Sequence, residues 1–500
     1  MMQNGRPSRG DLPDRLATGL GWVSLGLGLA EIAAPHVLAR TLGLGGRERL
    51  VQAYGLREIA AGAGILATSG AARAPWLWGR VAGDLLDIAT VASALERRRP
   101  PKRNIEAALL ALGGVTLLDA WVATSLSETR APRRRAGRIG PRFVRYSDSV
   151  ETIAPDEEEV TAKIIAVMAR GGEQVRERHG QALRTSHAKA HGLLRGELRV
   201  LDGLPPELRQ GLFAEPRTYP VIVRMAQVPG ELLDDRSVST QRRMAIKVLG
   251  IDGEMLPVHA GEETQDFVLD TGKAFISATA KAFHAAITAT VAAAPLPEAA
   301  KGAVSAASRA TNAALNAVGL NSAKLDFFGR PFRHPLSEAY YSQCPIRYGD
   351  YIAKLAVVPD MRELERLAEE EFRPEDENGM RTAVASWFRE RPAEFVVQVQ
   401  LCTDLRRMPV EDATVEWPEE ESPYRPVARL ILPAQPAYDA DRAATIDEDL
   451  SFCPAHSLAA HRPLGSIMRT RMRAYETLGR QRRELNGRPV REPRSADERP

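Results

Sequence analysis

The amino-acid sequence predicts an α+β fold, in which an antiparallel β-barrel core with added helices follows an all-α four-helix transmembrane bundle. Three observations predict it. Four apolar runs of about 20 residues precede residue 130, stretches of alternating apolar and polar residues begin near residue 194, and a basic segment lies between them. Runs of that length cross a bilayer as helices, and period-two alternation is typical of half-buried strands.

The chain divides on this basis into four parts. They are an N-terminal tail (1–15), a four-helix transmembrane domain (16–126), a basic linker (127–150) and a barrel domain (151–490). The arginine-rich linker suits either contact with anionic lipid headgroups or a solvated joint.

Composition excludes some classes of function. The net charge of the 500 residues is only +3, and the sequence shows neither interleaved aromatic and basic residues nor zinc-finger spacing, so we expect no nucleic-acid partner. Cys344, Cys402 and Cys453 are scattered and odd in number, which indicates neither a disulfide framework nor a CxxC metal site. This cysteine usage favours a reducing compartment.

The four apolar runs are rich in Gly, Ala and Ser, which let helices approach each other closely in lipid. A cleavable signal peptide fits poorly, because there are four runs and no cleavage-site pattern follows the first. The runs cover residues 16–34, 51–70, 75–95 and 105–126.

Each run also carries ionisable residues, which in membranes face the bundle interior and pair with one another. Three interpretations stay open: ion pairs between helices, a polar pocket for a lipid or quinone-like molecule, or a soluble four-helix bundle. Basic residues flank both sides almost equally, and we place both chain ends, with the barrel domain, on the cytoplasmic side. The charged residues are Glu31, Arg57, Glu58, Arg80, Asp84, Asp87 and Asp119.

The barrel domain contains many short alternating stretches with few helices between them, which favours a barrel or sandwich with added helices. Two helix-like insertions interrupt the series, one Ala-rich at 276–323 and one acidic at 361–372. We expect the Ala-rich insertion to pack on the barrel, with contact to the bilayer as the alternative. The alternating stretches are 194–201, 219–228, 244–251, 266–270, 351–360 and 394–404.

A tyrosine near the C-terminus has the surroundings of an iron ligand. Tyr475 follows Arg471 by four residues and precedes Arg482 by seven, offsets that put all three side chains on one face of a helix. Nearby guanidiniums favour the ionised phenol, and a phenolate is able to hold ferric haem iron. The alternative is an arginine-rich terminal helix with a half-buried tyrosine.

Several segments resemble motifs of the haem catalase superfamily in colinear order. The motifs cover roughly residues 180 to 485 and end with the family's R-x-x-x-Y pattern at Arg471 and Tyr475. A further run, FGRPFRHPLSEAYYSQCPIRYGD at 328–350, resembles the divergent catalase-like branch. The colinear segments are RTSHAKAHG (184–192), PVIVRMAQ to GIDG (220–253), DFVLDTGKAF (266–275), PVEDATVEWPE (409–419) and DEDLSFCPAHSL (447–458).

The resemblance implies a β-barrel core with haem b buried between barrel and helices. It makes Tyr475 the axial iron ligand, with Arg471 supporting its ionisation. His187 becomes the distal acid–base group, with His191 as a rival, and Phe275 either flanks the haem or is ordinary core. The implied partners of the haem propionates are Arg184, Arg224 and Arg482.

The sequence departs from the family pattern on the distal side. Glu263 stands where the family has its distal asparagine, and the resemblance makes it a catalytic acid–base candidate. Arg243 replaces a glycine at a position of close backbone approach. Ala226 replaces a serine, and Glu476 and Leu478 replace the residues that usually follow the tyrosine. These changes argue against ordinary hydrogen peroxide disproportionation.

We predict a membrane-anchored, haem-dependent peroxide enzyme that acts on hydrogen peroxide or on lipid hydroperoxides. The alternative is a haem-free catalase-fold binding or scaffold module at the membrane. A third hypothesis makes the N-terminal bundle the functional part. Analogy with catalases predicts a homo-oligomer.

Overall fold

The computed structural model describes residues 11–68, 70–96, 102–127, 143–317, 322–439 and 450–487. The chain forms two compact units. The helical unit comprises Met1–Gly137 and Pro297–Pro331, and the barrel unit comprises Arg138–Leu296 and Phe332–Pro500.

The described residues contain both helices and strands, as an α+β fold requires. The helices are α1 (Asp11–Ala33), α2 (Pro35–Thr41), α3 (Glu48–Ala67), α4 (Ala74–Ala92), α5 (Lys102–Ser127), α6 (Glu157–His179), α7 (Ala280–Ala293), α8 (Glu298–Ala317), α9 (Ala323–Gly329), α10 (Arg362–Glu369), α11 (Gly379–Phe388) and α12 (Ser466–Asn486). The strands are β1 (Ala190–Val200), β2 (Thr218–Gln227), β3 (Arg242–Leu249), β4 (Thr264–Thr271), β5 (Tyr340–Tyr341), β6 (Ile346–Tyr348), β7 (Tyr351–Pro359), β8 (Ala393–Leu401) and β9 (Arg425–Leu432).

Helices α1 and α3 of the helical unit lie against each other through glycines. A Cβ atom added at Gly28 would lie 2.5 Å from the carbonyl oxygen of Gly55, and one added at Gly62 would lie 2.7 Å from that of Gly21. Because these distances leave no room for a side chain, the predicted role of small residues in close helix approach is confirmed at these positions.

Charged residues of the apolar runs pair between helices inside the helical unit. Arg80 on α4 lies 2.7 Å from Glu58 on α3 and 2.9 Å from Asp119 on α5. Arg57 on α3 lies 2.7 Å from Asp87 on α4. The predicted ion pairs between helices are thus confirmed.

All four apolar runs form helices, but they differ in how well they suit a membrane. Within the described parts of the chain, one segment, Leu16–Ala33, is long and apolar enough to cross a bilayer. Insertion of any of the four helices into a membrane stays a prediction.

The Ala-rich insertion is divided between the two units, which corrects the prediction that it packs on the barrel as a whole. Helix α7 packs on α6 in the barrel unit, where Ala280 joins Ile164 and Met168 in one apolar cluster. Helices α8 and α9 belong to the helical unit, where Leu325 packs against Val81. Prolines separate α7 from α8, and a proline inside a helix interrupts it.

The strands of the barrel unit form one antiparallel sheet in the order β5-β4-β3-β2-β1-β9-β8-β7-β6, and β5 also pairs with β7. This additional pairing closes a ring of eight strands, and β6 forms a hairpin with β7. The predicted antiparallel barrel is confirmed, and the sandwich alternative is wrong.

Side chains on the strands alternate between the inside and the outside of the barrel. Val223, Met225 and Met244 face inward and belong to the central apolar cluster. Ile222 and Ala245 face outward and belong to a second cluster, which also contains residues of α12. Helix α12 therefore covers the outer face formed by β2, β3 and β4.

Candidate functional site

An arginine and an aspartate meet on the outer face of the barrel under α12. Arg243 on β3 is directly opposite Asp270 on β4 in the strand register. Directly opposed side chains of antiparallel strands lie close together. Arg243 Nε lies 2.8 Å from Asp270 Oδ1, and its Nη2 lies 3.0 Å from Oδ2, a bidentate ion pair.

Partly buried ion pairs hold α12 over this face. Arg469 in the first turn of the helix lies 2.6 Å from Glu157 and 3.0 Å from Glu411. With the start of α12 fixed in this way, the helical spacing turns Tyr475 and Arg482 toward the barrel.

The hydroxyl of Tyr475 contacts two other polar side chains. It lies 3.0 Å from His187 Nε2, and it accepts a hydrogen bond from Arg243 Nη1. Arg471 Nη2 lies 3.2 Å from Asp270 Oδ2, so a single carboxylate pairs with two guanidiniums beside the tyrosine.

The backbone fixes both the position and the tautomer of His187. The residue has a φ of 58°, in the left-handed region, and its N–H donates to the carbonyl of Val228 at 2.8 Å. Nδ1 lies 3.3 Å from the carbonyl oxygen of Gln227. A carbonyl oxygen only accepts hydrogen bonds, so the imidazole proton is on Nδ1. Nε2 therefore accepts a hydrogen bond from the hydroxyl of Tyr475.

The pKa values of His187 and Tyr475 are both shifted downward. Burial, together with the nearby Arg243 and Arg471, holds the pKa of His187 well below its usual 6.5, so the imidazole is neutral. Burial alone would raise the pKa of Tyr475, but the guanidiniums of Arg243 and Arg471 outweigh it and bring that pKa below 10.

These side chains surround a cavity of about 60 Å³. Four arginines line it, and none of the residues that line it carries a carboxylate. The lining residues are Met168, Arg184, Thr185, Ser186, His187, Arg224, Arg243, Ala245, Phe452, Ala474, Tyr475, Leu478, Gly479 and Arg482.

The structure brings five of the predicted site residues together and leaves others aside. Arg184, His187, Arg224, Tyr475 and Arg482 all line the one cavity.

The remaining predicted residues lie off the cavity. The guanidinium of Arg471 lies 6.0 Å from the ring centre of Tyr475 and 5.7 Å from that of Phe275. Phe275 packs on Phe283 at a centroid distance of 5.3 Å, and neither phenylalanine lines the cavity. Glu263 has an exposed side chain in the turn before β4, so it does not occupy the distal position that the resemblance implied.

Sequence reasoning missed two residues of the site. The sequence marks Arg243 only as a replacement of the family's glycine. A charged residue at a position of close backbone approach was nevertheless a sign that this residue belongs to the site. Asp270 shares the outward parity of Arg243 on the neighbouring strand, but the pairing register that joins them is not visible in the sequence.

The side chains in this arrangement do not fit haem b. A haem with an axial tyrosinate and a distal histidine has its iron between the phenolate oxygen and the imidazole. Here those two groups form a direct hydrogen bond of 3.0 Å, and Arg243 also contacts the same oxygen. A cavity of about 60 Å³ is also far smaller than the roughly 300–1,000 Å³ of pockets for drug-sized ligands.

We expect Tyr475 to ionise at lower pH than Tyr146, Tyr219, Tyr348 and Tyr424, whose pKa values are raised by burial, as followed by near-ultraviolet difference absorption. Because the folded-state pKa of Tyr475 is below the unfolded value of 10, its ionisation stabilises the fold fully above pH 10, and this stabilisation is lost as pH falls through the folded-state pKa. Tyr475→Phe should remove the earliest ionisation step. Tyr146→Phe is the control, because burial and the hydrogen bond to Asp148 raise the pKa of Tyr146. An unchanged first step in Tyr475→Phe would contradict the assignment.

Comparison with known proteins finds similarity to catalases at low identity. No family model and no curated protein matches this chain. A fungal catalase structure is 16% identical with a TM-score of 0.41, and the match covers 62% of this chain and 61% of that one, less than two thirds of its length. Catalase A from Saccharomyces cerevisiae is 14% identical (TM-score 0.41, 69% and 68% covered), and a bacterial catalase is 15% identical (TM-score 0.43, 73% and 71% covered). Similarity at this level concerns the course of the backbone and says nothing of ligands or chemistry.

Proposed function

We propose that the barrel unit works without haem, as a binding module for a small anionic group such as a carboxylate or a phosphate. The observation that carries this proposal is the lining of the cavity, which has four arginines and no acidic residue. Arg224 and Arg482 are only 3% and 5% exposed, so their charges are largely removed from bulk water. Charge–charge attraction is much stronger in such surroundings than at an exposed surface.

The size and the chemistry of the cavity both suit a small oxyanion. About 60 Å³ leaves room for a group of a few heavy atoms. Planar guanidiniums bind carboxylates and phosphates through paired hydrogen bonds. The Tyr475 hydroxyl is already engaged by His187 and Arg243.

We expect inorganic phosphate or acetate to raise the melting temperature of the full-length protein. A ligand that binds only the folded state at about 100 times its Kd stabilises it by about 2.7 kcal/mol. Arg482→Gln should abolish most of this gain. Arg480→Gln, an exposed arginine two residues earlier on the same helix, is the matched control. Equal stabilisation of both variants would contradict the proposal.

A haem-dependent peroxide enzyme is the second candidate function. It is favoured by the convergence of Arg184, His187, Arg224, Tyr475 and Arg482, the set that the catalase resemblance implied, around one cavity. For haem to enter, Arg243 would have to leave Tyr475, and His187 would have to separate from it. In that state the enzyme would be expected to act on hydrogen peroxide or lipid hydroperoxides.

Absorption spectroscopy separates the two candidates. We expect detergent-purified protein from cells with ample haem to show no Soret band, because the Tyr475–His187 hydrogen bond and Arg243 exclude the cofactor. Haem bound by Arg243→Gly but not by the wild type would identify Arg243 as the obstacle. A wild-type Soret band that Tyr475→Phe removes or shifts would overturn the haem-free proposal. Hydrogen peroxide and fatty-acid hydroperoxides would then be compared as substrates.

We also propose that the helical unit lies in a membrane, with several of its helices spanning it and the barrel unit on the cytoplasmic side. Support comes from the distribution of its side chains, with apolar residues exposed and charged residues buried. Of the fourteen large apolar side chains that are exposed among the described residues, nine lie between residues 22 and 118. Trp22, Val37 and Leu56 are each more than 60% exposed, while Arg80 and Asp119 are buried. An apolar exterior around paired charges is typical of membrane helices.

That the protein forms a homo-oligomer stays a prediction.

Alkaline carbonate extraction tests this placement. We expect the full-length protein to stay with the membrane fraction after extraction and to be released only by detergent. Release by carbonate alone would contradict an embedded helical unit, because peripheral contacts of the basic linker are the kind that such treatment breaks.

A further inference from the structure

Two histidines and a glutamate meet at a second polar cluster of the barrel unit. His259 ends a short helical turn between β3 and β4, Glu262 follows in the same connection, and His456 lies in the segment before α12. One ligand-type atom from each of the three lies within 4.8 Å of the other two. None of these residues lines the arginine-rich cavity.

The imidazoles face the two oxygens of one carboxylate. His259 Nδ1 lies 2.9 Å from Glu262 Oε1, and His456 Nε2 lies 3.6 Å from Glu262 Oε2. The rings are nearly perpendicular, with centroids 3.9 Å apart. Two ligand atoms about 2.0–2.1 Å from a tetrahedral Zn²⁺ are roughly 3.4 Å apart, a value that these two distances bracket.

Hydrogen bonds within the cluster leave one carboxylate oxygen without a partner. The Oε2 atom of Glu262 is buried and has no hydrogen-bond partner among the described residues, since 3.6 Å to His456 is beyond hydrogen-bond range. A buried carboxylate oxygen without a partner is costly. A cation between the imidazoles and this carboxylate would give that oxygen a ligand.

The other nitrogen of each imidazole faces an outer carboxylate. His259 Nε2 lies 3.2 Å from Glu476, and His456 Nδ1 lies 3.2 Å from Asp266. Lys247 Nζ also lies 3.2 Å from His456 Nδ1 and forms an ion pair with Asp266 at 2.8 Å. A metal-binding histidine usually donates its second N–H to a carboxylate, which fixes the ring and turns the lone pair of the first nitrogen to the metal.

We propose that His259, Glu262 and His456 bind a divalent transition-metal ion of the Zn²⁺ class, with Glu476 and Asp266 as positioning residues. Two imidazoles and one carboxylate form a ligand set that Zn²⁺ and similar first-row ions favour, and this set leaves a coordination position for water. The site is independent of the anion-binding function proposed for the arginine-rich cavity.

Metal titration of the tag-free, chelator-treated full-length protein in detergent tests the site. Co²⁺ is the probe, because its visible absorption reports the coordination geometry, and Zn²⁺ is then added to displace it. We expect one Co²⁺ per chain and an increase in melting temperature. Glu262→Gln should weaken binding by more than the roughly 10–100-fold that changes in outer-shell partners cause, and Glu476→Gln should fall within that range.

Glu263→Gln is the matched control, because it makes the same chemical change one residue away at an exposed side chain. It should bind Co²⁺ and gain thermal stability like the wild type. Melting curves without metal check that each variant is folded. The proposal is overturned if the wild type binds no more Co²⁺ than Glu262→Gln does, or if Glu262→Gln and Glu263→Gln lose affinity equally.

Discussion

One buried carboxylate organises the arginine-rich site. Asp270, 3% exposed, neutralises Arg243 through a bidentate pair and also contacts Arg471. Burial alone would raise the pKa of Asp270, but the two guanidiniums outweigh it and keep the pKa below its usual value. Without this charge, two guanidiniums would be buried beside Tyr475 uncompensated, which is strongly destabilising. With the Asp270 carboxylate in place, Arg243 is held against the phenol oxygen of Tyr475, and the tyrosine hydroxyl donates its hydrogen bond to His187.

Arg243 also decides what the barrel can hold. A glycine at this position would leave the space between barrel and helix α12 open, whereas the guanidinium fills it and engages Tyr475. Five of the residues that the catalase resemblance assigned to the haem site are still gathered, yet Tyr475 contacts His187 and Arg243 directly. A resemblance in sequence motifs therefore does not establish the chemistry of the site, because one side chain changes the contents of the cavity.

Helix α12 serves two clusters with neighbouring residues. Tyr475 points to the arginine-rich cavity, while Glu476 reaches His259 at the proposed metal site. Successive residues on a helix differ in direction by about 100°, so one helix reaches separate polar clusters from adjacent positions. The ion pairs of Arg469 at the start of α12 fix the rotation on which both clusters depend.

The sequence by itself determined the alternating strands, the four N-terminal helices and the common helix face of Arg471, Tyr475 and Arg482, because local periodicity of 2.0 or 3.6 residues sets these features. Only the tertiary structure decided the rest. Pairing register joined Arg243 to Asp270, folding divided the Ala-rich insertion between two units, and loop geometry put Glu263 in solvent while bringing Glu262 to His456. These outcomes depend on contacts between residues far apart in the chain, which no local pattern encodes.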